Sequence, residues 1–233
     1  MINITPEEDN LGKEKPEKSS IINIQFSETK NGNFKLQSDN DMFAENYYRE
    51  PMNLFDGNEF DVFITGCESA IRTSESYSAY IAYLKEEIGL TRDAFNSEIS
   101  QDNAKLEMHH GPIFTLYDYV KIIIDYFFDN EMPVSTFTVA KQVMFEHFSN
   151  RIQVVMLTKN NHNLVHAGKL CLDFRQCHGS LKDFITIYHK YIERSPKLKN
   201  KILSYKRLLD ANAIHNTDIL RIESLIDWSP KKK

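Results

Sequence analysis

The sequence predicts an α+β protein that is mostly helical, with a small N-terminal β-hairpin and a strand–strand–helix element embedded in the helical body. Three observations support this fold class. Apolar residues recur at helical spacing over several long stretches, β-branched runs are few and short, and an Asn-Gly pair separates two alternating segments near the N-terminus. A chain of 233 residues is long enough to bury one sizeable core.

Composition and patterning divide the chain into four regions. The regions are a flexible tail (1–20), the hairpin and a connector (21–60), a core with a helical insert (61–180) and basic C-terminal helices (181–233). The hairpin strands are expected at 21–26 and 34–37, because each alternates apolar and polar residues. Residues 61–65 are typical of a short strand or of the lead-in to a helix.

Helix and strand signals give the remaining elements. A capping box at Thr115 and Asp118 predicts a helix to about residue 130, and Thr158 can cap a short helix that Gly168 ends. Further helices are predicted at 74–88, 136–148, 181–193, 196–210 and 218–228, and strands at 106–110, 152–157 and 170–174.

Charge and cysteine content limit the class of protein. The net charge of −5 argues against a protein that coats nucleic acid, although residues 181–233 carry twelve Lys/Arg and six Asp/Glu, or +6, which leaves −11 for residues 1–180. Cys67, Cys171 and Cys177 form no CxxC pair, which favours a reduced intracellular chain. With neither a long apolar run nor a signal-peptide pattern, the sequence predicts a cytoplasmic protein with no membrane partner.

Four histidines carry the main chemical signal. His162 and His166 are four residues apart on a predicted helix, so both rings can reach one ion. The adjacent pair His109 and His110 lies on a predicted strand, where neighbouring side chains face opposite sides. One of the pair can therefore join a metal site while the other faces a substrate, and the same histidines can also be ordinary packing residues.

The segments 106–112 and 153–166 resemble the ββα-metal (HNH) endonuclease superfamily, in its colicin-type His-His variant. In that family an Asn stands nine residues before the first helix histidine, and here Gln153 stands at that distance from His162. The resemblance implies that His110 is the general base, that His109, His162 and His166 bind a divalent metal ion, and that the Gln153 amide orients the loop holding the base.

The resemblance implies a metal-dependent endonuclease that hydrolyses DNA, with Mg, Mn, Ni or Zn as the ion and Arg151 as a candidate phosphate contact. Low glycine content and a chain rich in Asn, Lys and Ile indicate a phage protein acting in the host cytoplasm. The alternative is a non-catalytic phage structural or nucleic-acid-binding protein that keeps the metal site, which Gln153 and the acidic net charge favour. A helical interaction protein without metal is a third possibility.

Overall fold

Eight α-helices and two two-stranded antiparallel sheets make up the computed structural model, which describes residues 24–28, 34–38, 57–212, 214 and 216–229. The strands are β1 (Ile24–Glu28), β2 (Phe34–Ser38), β3 (Leu106–His110) and β4 (Val154–Thr158). The helices are α1 (Gly57–Thr73), α2 (Glu75–Glu86), α3 (Leu116–Asp129), α4 (Thr136–Phe148), α5 (Lys159–His166), α6 (Leu181–Arg194), α7 (Pro196–Ala211) and α8 (Thr217–Ser224). The predicted class, a mostly helical α+β protein, is confirmed.

The chain forms two compact units, residues 1–49 and 50–233. In the first unit, β1 and β2 pair antiparallel with Phe26 opposite Leu36, close to the predicted strand positions. The predicted flexible tail, the turn between the strands and most of the predicted connector lie outside the described residues.

Residues 61–65 lie inside α1, so the helical reading of this segment is correct and the strand reading is wrong. Phe63, Ile64, Cys67 and Ile71 are buried along one helical face. A five-residue window is too short to show that periodicity, which emerges only over the full helix.

Helix α3 is the centre of the core in the second unit. It packs against α1, α4 and α6, and buried side chains lie around most of its circumference. Its first turn carries the predicted capping box, in which Thr115 and Asp118 satisfy each other's backbone N–H groups. No helix in the described part of the chain combines the length and apolarity needed to cross a membrane.

Strands β3 and β4, which are far apart in sequence, form a two-stranded antiparallel sheet whose two faces pack differently. Met108 and Met156, which are paired in register, face the main core. Val155 and Leu157 face the other way and form a small cluster with Leu172, against which α5 packs. Because side chains alternate along a strand, this register decides the surroundings of every residue on β3.

The segment after α5 differs from the prediction. Residues 170–174 form no strand, and a 3-10 helix at Phe174–Gln176 leads to His178, which makes an isolated bridge with Val154. Gly179 has φ +98°, and a Cβ there would collide with the carbonyl oxygen of Ile152. The chain can therefore cross the end of β4 this closely only with glycine at this position. Helices α6, α7 and α8 then follow near their predicted positions.

Candidate metal centre

Three histidines meet between β3 and α5. The β3 register directs His109 toward α5, on the face opposite Met108. Thr158 accepts a hydrogen bond from the Asn161 N–H as the N-cap of α5, which starts the helix so that His162 and His166 lie one turn apart. The predicted juxtaposition of a strand histidine with a two-histidine helix is therefore present.

The three rings converge on a common point. Each of His109, His162 and His166 offers one ring nitrogen, and these nitrogens all lie within 4.8 Å of one another. The His109 ring centroid is 4.9 Å from those of the other two rings. Two nitrogens bound to one ion at about 2.1 Å can be no more than about 4.2 Å apart. Side-chain rotations that shorten the widest separation by a few tenths of an ångström would bring all three nitrogens within that limit.

A carboxylate fixes the proton position on His162. Its Nδ1 lies 3.0 Å from Oε2 of Glu107, and because a carboxylate accepts, Nδ1 is the nitrogen that donates. In the neutral ring Nε2 is then unprotonated. The Nε2 atoms of His162 and His166 are 3.1 Å apart, so both nitrogens face the same small space.

The site opens from the core toward solvent. His109 is buried, His162 is intermediate and His166 is exposed. Burial, followed by the proximity of His162 and His166, lowers the pKa of His109 to about 4. Burial followed by the proximity of His162 also lowers the pKa of His166. At neutral pH His109 and His166 are therefore neutral, which is the form that binds a metal.

Asp93 holds the start of α5 in place, a role that the sequence did not indicate. Its carboxylate accepts from the Thr158 N–H at 2.6 Å and from the Asn161 amide at 2.9 Å. Desolvation raises the pKa of Asp93, but hydrogen bonds from Thr158 and Phe95 outweigh it and lower the pKa below its usual value. The contact spans more than sixty residues of sequence, so no local pattern could have revealed it.

His110 lies on the opposite face of β3, in the core. Its Nε2 is 2.9 Å from Nε2 of His147, and Nδ1 of His147 is 2.8 Å from the Val143 carbonyl oxygen. Since a carbonyl only accepts, His147 carries its proton on Nδ1. The Nε2 of His147 is then the acceptor for the Nε2–H of His110. His110 is buried and its pKa is well below the usual range because of burial.

This arrangement gives the physical reason against the role predicted for His110. A general base needs a free nitrogen within reach of its substrate's proton. The His110 ring is buried on the core face of β3 against His147, so a substrate held at the three-histidine cluster on the opposite face does not reach it. His147, on α4, is thus the partner of His110 in the core.

Of the other two predicted site residues, Arg151 is paired with a buried carboxylate and Gln153 is buried. The Nε of Arg151 lies 2.5 Å from Oε2 of the buried Glu146, and its guanidinium lies over the Phe145 ring. The Gln153 side chain is buried, and its Oε1 has no hydrogen-bond partner among the described residues. The loop after His110 is bound instead by the Gly111 N–H, which donates to the backbone oxygen of Gln153 at 3.3 Å.

Comparison with protein-family models gives one finding on the chain's identity. The model described as "Bacteriophage G278-like virion protein" matches residues 11–231, nearly the full length of the chain. Neither the curated proteins nor the solved structures gave a match.

The predicted membership of the HNH endonuclease superfamily is wrong, and with it the predicted DNA-cutting hydrolase activity. The family match spans all four histidines on which that prediction rested and describes a virion protein. It is consistent with the phage origin that composition indicated, and it agrees with the alternative of a non-catalytic phage structural protein. The chain belongs to the Bacteriophage G278-like virion protein family.

Proposed function

We propose that the protein is a non-catalytic structural component of the phage particle and that His109, His162 and His166 bind one divalent transition-metal ion. The family supports the structural part of this proposal. The convergence of three ring nitrogens within 4.8 Å carries the metal part. His110 has no role at this centre, because its ring lies in the core against His147.

The ligand set favours some of the four predicted ions over others. Imidazole nitrogen suits Zn²⁺, Ni²⁺ and related ions, whereas Mg²⁺ and Mn²⁺ prefer oxygen ligands. Within the described residues the cluster consists of three histidines and no carboxylate. Zinc or nickel is therefore the better candidate, with water as the simplest further ligand.

The ion would strengthen the attachment of α5 to β3. Helix α5 has eight residues and no buried side chain, and its packing depends on the partly buried Val165. An ion bound by His109 and by both α5 histidines would link β3 to α5 directly. A ligand that binds only the folded state at 100 times its Kd stabilises that state by about 2.7 kcal/mol.

DNA binding, which the resemblance to nucleases implied, receives little support from the basic C-terminal helices. Several of the cations there form ion pairs within the protein: Lys190 and Arg194 with Asp129, Lys201 with Asp118, Lys206 with Glu223 and Arg221 with Asp218. Each pairing reduces the positive charge available to phosphates. A filter-binding assay at low salt would test DNA as a partner.

Metal stoichiometry is the direct test of the metal site. The purified protein should hold about one zinc per chain by elemental analysis after loading and gel filtration, and zinc should raise its melting temperature. His162→Ala and His166→Ala should lose both effects. The exposed His189 lies outside the cluster, so His189→Ala is the matched control. Equal zinc content in all variants would contradict the site.

Mass spectrometry of purified phage particles tests the structural role. The chain should be present in particles after density-gradient purification, at a copy number typical of an assembled component. Its presence only in lysates of infected cells, and not in particles, would contradict the proposal.

A further inference from the structure

The carboxylate of Glu107 lies beside the three-histidine cluster and contacts the ring of His162. We infer that Glu107 is a positioning residue of the metal centre, which holds the His162 ring with Nε2 facing the ion. This inference rests on the proposed metal site.

The β3 register brings Glu107 to the correct face. Glu107 and His109 are two residues apart on one strand and therefore point to the same side. Their partners on β4 are Leu157 and Val155, the two residues that face α5. One strand thus supplies both a ligand candidate and a carboxylate to the same helix.

The hydrogen bond has the geometry of an outer carboxylate rather than a ligand. Oε2 of Glu107 lies 3.0 Å from Nδ1 of His162, the ring nitrogen directed away from His166. Glu107 is not among the three residues whose donor atoms converge in the described part of the chain. Metal-bound histidines commonly donate their second N–H to such a carboxylate, which fixes the tautomer and raises the basicity of the ligating nitrogen.

Partial burial distinguishes this contact from a free surface pair. The side chains of Glu107 and His162 are 31% and 23% exposed. Both groups thus lie partly out of water, where a charge-assisted hydrogen bond holds a ring in one orientation more firmly than it does in bulk solvent.

Zinc affinity measured by competition with a chelating dye tests the inference. Glu107→Ala removes the acceptor and should weaken zinc binding about 10- to 100-fold. Glu107→Gln keeps an acceptor for Nδ1–H but loses the charge, so its affinity should lie between those of Glu107→Ala and the wild type. Glu98 is an exposed carboxylate in the loop before β3, so Glu98→Gln is the charge-matched control and should bind zinc as the wild type does.

The visible absorption spectrum of the Co²⁺-loaded protein separates positioning from mere folding. Glu107→Ala should change the band shape, Glu107→Gln should largely restore it, and all variants without metal should melt within a few degrees of one another. Wild-type zinc affinity and an unchanged cobalt spectrum in Glu107→Ala would overturn the role of Glu107 and leave the metal site standing. Failure of the wild-type protein to bind zinc would overturn both.

Discussion

His109 and His110 are neighbours on β3, yet they belong to two regions with opposite character. His109 faces α5, where it meets His162 and His166 in a cluster that opens to solvent. His110 faces the core, where its Nε2–H donates a hydrogen bond to Nε2 of the buried His147. One step along a strand separates a cluster of three ring nitrogens that opens to solvent from a closed packing contact.

The difference shows that burial can have two consequences for a histidine side chain. In the cluster, burial keeps His109 neutral while a ring nitrogen stays close to two others. In the core, burial keeps His147 neutral, and hydrogen bonds on both of its nitrogens leave neither free. Neutral imidazole is necessary for metal binding, but an accessible nitrogen is what separates the two regions.

Removal of the core histidine should produce the largest loss of stability. His147→Ala leaves a cavity and deprives the His110 Nε2–H of its acceptor, so the free energy of unfolding should fall by about 3–5 kcal/mol. Urea denaturation followed by circular dichroism measures this change. His189→Ala, at an exposed position, should change it by less than about 0.5 kcal/mol. Equal small effects in both variants would contradict the core role of His147.

Lowering the pH should destabilise the core region around His147. Burial lowers the pKa of His147 from 6.5 to about 4, so the unfolded chain binds more protons between these values. Stability is therefore full above pH 6.5 and decreases as the pH falls toward 4, by on the order of 3 kcal/mol for this group. Unfolding in EDTA across this range measures the effect, and His147→Ala should show a shallower slope. The same slope in both proteins would exclude His147 as its source.

Arg151 belongs to the core region in this account. Arg151→Ala removes the cation paired with the buried Glu146 carboxylate, which keeps its bond from Tyr188, so the loss should be about 2 kcal/mol. Chemical denaturation checks it against Arg221→Ala, which breaks the exposed pair with Asp218 and should have little effect. If Arg151→Ala were as stable as the control, the guanidinium would be free for another role.

Substitutions in the three-histidine cluster should change the free energy of unfolding least when no metal is present. His166 is exposed, so His166→Ala in EDTA should change the free energy of unfolding by less than about 0.5 kcal/mol. Urea denaturation in EDTA measures this change in the free energy of unfolding. A large loss without metal would mean that His166 contributes to packing rather than to an ion site.

Local patterns predicted much of the fold. The capping box at Thr115, the N-cap at Thr158 and the strand at 106–110 are set by nearby residues, and each is present. Helix α1 and the segment at 170–174 were read less well. The helical periodicity of α1 is visible only over the whole helix and not within residues 61–65. The segment at 170–174 is followed by a contact of His178 with the distant Val154, which no local pattern shows.

The candidate site was predicted in part for the same reason. Helical spacing and strand alternation brought His109, His162 and His166 together correctly. The contacts of His147 and Asp93 depend on how α4 and the loop before β3 pack, which no short motif encodes. The family resemblance failed because a few histidines at common spacings, separated by a long helical insert, also occur outside nucleases.

Histidine side-chain NMR tests the division between the two regions most directly. Long-range ¹H–¹⁵N spectra of the protein labelled at histidine report the protonation of each ring nitrogen before and after one equivalent of zinc. We predict that zinc shifts one nitrogen in each of His109, His162 and His166, while His147 stays protonated at Nδ1 and His110 at Nε2. Zinc-induced shifts at His110 or His147, or none at the three cluster histidines, would contradict the account.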